Sequence, residues 1–182
     1  MITITIPESS WYDEKKAEVV KVKKITLNLE FSLISVSKWE MKYHKAFLTN
    51  EKNIEEYLYF FYCMILNPPK DFDPRWIYAI TKNDFDRIRE YMSDPMSATV
   101  IVDQSNKPKN NPRSMTSEEL YCAMSMLNIP YDCQKWHLNR LIKLIELCAI
   151  RNAPPEKMSE KEALDGWQKI NAMNRSKFNS KG

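Results

Sequence analysis

The chain opens on Ile2-Thr3-Ile4-Thr5-Ile6, an apolar–polar alternation of period two that predicts a half-buried strand. A polar stretch follows, and alternation returns at Val20 and Val22 and then at Ile25, Leu27, Leu29 and Phe31. Across Lys23-Lys24 the apolar positions move from even to odd numbers. That shift turns side chains to the wrong face unless a bulge or turn lies there. Residues 1–31 therefore predict a small N-terminal antiparallel β element.

Beyond it, helical spacing dominates. Ser32 to Tyr43 is mixed, although Leu33, Val36 and Met41 suit a helix better than a strand. Asn50 is a candidate cap for a helix with the apolar stripe Ile54, Tyr57, Leu58, Phe61, Tyr62 and Ile65, stopped by Pro68-Pro69. Asp73-Pro74 opens a short helix through Trp76, Ile77 and Ile80. Asn83 or Asp84 starts another, with Phe85, Ile88 and Met92 on one side.

Thr99 to Val102 reads as a short strand, and 105–114 as a polar loop broken by Pro108 and Pro112. Thr116-x-x-Glu119 is a capping-box pattern before Leu120, Ala123, Met124 and Leu127. After Pro130, Asp132 can cap a long helix from Cys133 to about Arg151, with Leu138, Leu141, Ile142, Ile145, Cys148 and Ala149 inside. Ser159-x-x-Glu162 offers a second capping box ahead of Ala163, Trp167 and Ile170. The expected fold class is α+β, a predominantly helical single domain with a small N-terminal antiparallel β element. Its parts are the β element over 1–31, a helical body over 32–172 containing the 105–114 loop, and a flexible basic tail over 173–182.

Composition narrows the function classes. The 182 residues include only two glycines, Gly166 and Gly182. A P-loop, a dinucleotide-binding turn or a nucleophile elbow needs clustered glycines, so those sites are excluded, and turns are expected to use ordinary φ values. No apolar run approaches the roughly 20 residues a membrane-spanning helix requires, and a secretory leader is not expected from MITITIPESSWYDEKK. The formal net charge of +3 asks for no special partner. Acidic residues interrupt the basic cluster near Lys15-Lys16, so nucleic acid is not expected to bind.

Candidate chemistry is thin. The four cysteines, Cys63, Cys122, Cys133 and Cys148, are too sparse for a disulfide scaffold and read as reduced intracellular thiols. Gathering Cys122, Cys133, His137 and Cys148 around zinc is disfavoured, because no two cysteines have the close spacing of a structural site. Buried thiols and a surface histidine are the simpler assignment. A Cys133–His137 nucleophilic pair lacks a third group to orient the base. No catalytic, cofactor or metal residues are expected.

The aromatic and methionine load is more telling. Five Trp, nine Tyr, seven Phe and ten Met serve either a large aromatic-rich core or a binding surface. Aromatic residues at 57 and 59–62 surround one predicted helix, so some rings must face away from its core contact. Tyr59, Phe60, Tyr62, Met124 and Met126 are the candidate protein-binding residues.

The stretch LEFSLISVSKWE from Leu29 to Glu40, followed by Lys45-Ala46-Phe47-Leu48, resembles the opening of a family of bacteriophage tail assembly chaperones. The resemblance is stronger at LNIPYDCQKWHLNRL, Leu127 to Leu141, and continues through Arg151 to Ser159 and Asn179 to Gly182. It implies a non-enzymatic protein of the host bacterial cytoplasm that binds phage tape measure protein and tail-tube subunits during tail assembly. Such chaperones coat aggregation-prone tape measure helices until the tube polymerises. Self-association is left open. The alternative is a virion structural protein, a head–tail connector or tail-completion protein, using the same surfaces permanently.

Overall fold

Strands β1 (Ile2–Ile6) and β4 (Ile25–Leu29) pair antiparallel, as do β2 (Ser9–Asp13) and β3 (Glu18–Val22). Ile6 faces Ile25 and Ser9 faces Val22, so the second pairing continues the register of the first. The two pairs are halves of one long ribbon, interrupted where Pro7-Glu8 lies opposite Lys23-Lys24. Pro7 has no N–H to give the ladder. The predicted parity shift is thus a break in both strands at once, and the inner face passes from Ile4, Ile6, Leu27 and Leu29 to Val20, Val22 and Asp13.

The computed structural model describes residues 1–14, 16–99, 115–153, 164, 167–168 and 170–171. The chain is α+β and mostly helical, dividing into Met1–Arg151 and Asn152–Gly182. In the second unit Leu164, Trp167 and Ile170 are helical and exposed. The 105–114 loop, the Ser159-x-x-Glu162 box and the 173–182 tail lie outside the described residues. So do Val100 to Val102, and Thr99 belongs to no strand.

Helix α1 (Leu33–Tyr43) begins at a Ser32–Ser35 capping box, and α2 (Ile54–Met64) at an Asn53–Glu56 box. The cap of α2 is Asn53 rather than Asn50, because Glu56 returns the bond to the Asn53 N–H. The buried side of α1 is Leu33, Ser35, Val36, Trp39 and Glu40, which leaves Met41 pointing outward. That of α2 is Glu56, Phe60, Phe61, Cys63 and Met64, while Ile54, expected inside, is exposed. Trp39 joins the two helices, its indole N–H donating to the Glu56 carbonyl at 3.0 Å. Past α2, Ile65 bridges to Leu29 and Leu66 N–H donates to the Asn28 carbonyl, extending β4 on its free side.

A 3₁₀ helix, Pro74–Ala79, follows the Asp73 cap. Its Arg75 reaches Asp73, Asp13 and Glu18, tying this helix to the tip of the ribbon. Helix α3 (Lys82–Ser93) starts at Thr81, whose hydroxyl accepts from Asp84 N–H. Helix α4 (Ser117–Met126) has the Thr116–Glu119 capping box the sequence predicts.

The expected single helix from Cys133 to Arg151 is two. A 3₁₀ helix, Tyr131–Lys135, is followed by an extended Trp136-His137 and then α5 (Leu138–Asn152). His137 forms a bridge with Ser32, and Leu138 N–H donates to the Phe31 carbonyl at 2.7 Å. That tertiary bond takes the amide a continuous helix would have used, so Cys133 and His137 do not share a helix face.

Among the described residues, five non-glycine positions adopt left-handed backbone: Ala17, His44, Asn67, Met96 and Asn128. Scarce glycine therefore does not confine the turns to negative φ. Two of the five are asparagine, which tolerates this region best among non-glycine residues.

Candidate functional site

The outer sides of α1 and α2 enclose an open groove of about 490 Å³, lined by Lys38, Met41, Lys42, Tyr59, Tyr62, Cys63, Ile65 and Pro68. Its position follows from the helix phases above. Burial of Trp39 and Glu40 sends Lys38, Met41 and Lys42 outward, and burial of Phe60, Phe61 and Met64 leaves Tyr59 and Tyr62 half exposed. Phenolic rings suit such a rim, since one end is apolar and the other wet.

The rings form a continuous row. Tyr43 meets Tyr59 edge-on at 5.7 Å, Tyr59 lies 5.8 Å from Tyr62, and Tyr62 stacks on Phe72 at 6.3 Å. Phe72 in turn meets Trp76 at 5.6 Å, anchoring the row in the core. The Lys42 ammonium stands 3.5 Å above the Tyr59 ring, a cation–π contact that fixes a positive charge at the groove wall.

Burial, helped by the neighbouring Cys63, pushes the Tyr59 phenol up to about 12. Burial likewise pushes the Cys63 thiol up to about 11. Both groups keep their protons at neutral pH, so Tyr59 remains a hydrogen-bond donor and Cys63 is not a nucleophilic thiolate. A second cleft of about 450 Å³ lies beyond Met41, lined by Glu40, Met41, His44, Lys45, Ala46, Thr116 and Glu118. Met41, 71% exposed, is the ridge shared by both hollows.

The sequence-predicted binding residues are dispersed. Tyr59 and Tyr62 line the groove together. Phe60 does not: it is fully buried, packed at 4.0 Å against Phe47 and edge-on to Phe31. Met124 is also fully buried, on the inner side of α4. Both are expected from sequence on a binding surface and belong to the core instead. Each has a completely apolar side chain, whereas tyrosine hydroxyls need the rim. Met126 is 78% exposed but is not among the residues lining the groove.

Lys38, Met41 and Lys42 were missed by sequence reasoning. With Trp39 and Glu40 recognised as the inner positions of α1, residues at 38, 41 and 42 follow as its outer side.

His137 is buried, not a surface histidine. Its Nδ1 accepts from Asn139 N–H at 3.3 Å and its Nε2–H donates to the Tyr91 carbonyl at 3.1 Å, which fixes one neutral tautomer. Phe31 and Tyr91 meet the ring edge-on at 5.2 and 4.9 Å. Asn139 Nδ2 donates to the carbonyls of Met92 and Asp94. The start of α5 therefore supplies donors to carbonyls at the end of α3, where a helix leaves its last acceptors without intrahelical partners. Among the described residues, no three His, Cys, Asp or Glu side chains cluster as a metal site would require. Among the same residues, no helix is long and apolar enough to cross a membrane.

No protein-family model, curated protein or solved structure matches this chain.

Proposed function

We propose that the protein is a non-enzymatic bacteriophage tail assembly chaperone of the host bacterial cytoplasm, binding tape measure protein and tail-tube subunits during tail morphogenesis. The observation that carries this reading is the groove of Met41, Tyr59 and Tyr62 between α1 and α2. Its apolar, deformable lining suits helices that must be covered and later released. An open hollow of this kind holds a client without enclosing it, which favours transient contact.

The two stretches that carry the resemblance, Leu29 to Glu40 and Leu127 to Leu141, meet in the fold. Leu138 N–H bonds to the Phe31 carbonyl, His137 bridges Ser32, and Phe31 packs on the His137 ring.

Co-expression with the tape measure protein of the same phage, followed by affinity capture, tests the proposal. A complex and more soluble tape measure protein are expected. No complex, with unchanged tape measure solubility, contradicts it. Recovery of the protein from purified particles at ring-like copy number favours a head–tail connector or tail-completion protein instead.

A further inference from the structure

The groove has a polarity as well as a shape. Among the described residues lining it are two lysines and no acidic side chain. Lys38 and Lys42 are four residues apart on α1, so their stems rise from the same side of the helix about 6 Å apart along its axis. Lys42 is held over Tyr59 by its cation–π contact, so its charge is in place before any partner arrives. The rest of the lining is Met41, Tyr59, Tyr62, Cys63, Ile65 and Pro68.

We infer that this groove receives an acidic, apolar segment of another protein, with carboxylates one helical turn apart meeting Lys38 and Lys42 and apolar side chains covering Met41, Tyr59 and Tyr62. The inference rests on the reading of the groove as the client-binding surface and adds the chemistry of the client segment. A nucleic acid fits less well, because tracking a phosphate backbone takes a run of cations and here two stand beside a largely apolar lining.

Three labelled helical peptides with one leucine stripe, flanked by Glu, Gln or Lys, test the inference by fluorescence anisotropy at low and high salt. The Glu peptide is expected to bind the full chain most tightly, with affinity falling as salt rises. The double variant Lys38→Glu/Lys42→Glu is expected to bind the Glu peptide about tenfold more weakly and to prefer the Lys peptide. Both lysines are exposed, and an unchanged circular dichroism spectrum verifies the fold. Equal binding of the Glu and Gln peptides, no binding of the Glu peptide, or preference for a single-stranded oligonucleotide overturns the inference. Tape measure protein captured equally by wild type and double variant leaves the chaperone reading standing and overturns this one alone.

Discussion

The imidazole Nε2 of His137 lies 3.1 Å from the main-chain carbonyl oxygen of Tyr91 and donates to it, joining the start of α5 to the last turn of α3. Burial holds the ring's pKa below its ordinary value, so the folded protein keeps it neutral. As pH falls below about 6.5 the unfolded chain takes up this proton first, and the stability present above that pH is lost. Urea midpoints are expected to drop between pH 7 and pH 5 in the wild type and to drop less in His137→Gln. The same pH dependence in both proteins contradicts this role.

A second acid-sensitive step lies lower. The Glu56 carboxylate is held below its ordinary pKa, first by the bond from Lys45 and then by the Asn53 amide. Its contribution is complete above about 4.3 and is lost as pH falls further. Glu56→Gln should therefore flatten the stability profile below pH 4.5 and leave the His137 step intact, as read from urea midpoints.

Glu40 ties together segments 77 positions apart in sequence. One carboxylate oxygen accepts from Phe47 N–H and the other from Ser117 N–H, each at 2.7 Å. Ser117 opens α4, so the charge also sits at the positive end of a helix. Glu40→Ala leaves two buried amides without partners and is expected to cost about 3 kcal/mol. Hydrogen exchange at Ser117 should accelerate more than at Ile88. A loss under about 0.5 kcal/mol in urea unfolding contradicts the assignment.

Core and surface among the candidate residues separate by mutation. Phe60→Ala and Met124→Ala each remove a fully buried side chain and are expected to cost about 3–5 and 2–5 kcal/mol respectively. Met126→Ala should stay within about 0.5 kcal/mol. Thermal unfolding of the three variants checks this order, and a mild Phe60→Ala contradicts its placement against Phe47.

Much of the fold is legible where its chemistry is local. Thr116 and Glu119 announce their capping box, and the alternation from Ile2 to Ile6 announces its strand. The side of α2 that faces inward is not legible, because after Glu55-Glu56 the run YLYFFYCM is apolar or aromatic all round and periodicity cannot fix its rotation. Glu40 and His137 escape for the opposite reason. They are polar residues in inner positions, and only partners distant in sequence, Ser117 and Tyr91, show why burial is tolerated. Of the candidate site, Tyr59 and Tyr62 are found by their number and amphipathic rings. Lys38 and Met41 depend on the phase of α1, which tertiary packing sets.

The left-handed positions give an independent check on the backbone. Ala17, at φ 53°, carries a Cβ where glycine has no steric penalty, beside the tip of the ribbon. Ala17→Gly is expected to stabilise the protein by up to about 1 kcal/mol, the relieved strain of about 1–2 kcal/mol exceeding glycine's added chain entropy. Calorimetry reads the sign, and a lower Tm contradicts the local geometry.

The most direct test of the central claim is hydrogen exchange on the full chain with and without tape measure protein. The account predicts added protection concentrated at residues 38–43 and 59–66, with little change around Met126 and along α5. Protection confined to α5 or the Met126 side of α4, with the α1–α2 groove unaffected, would contradict it.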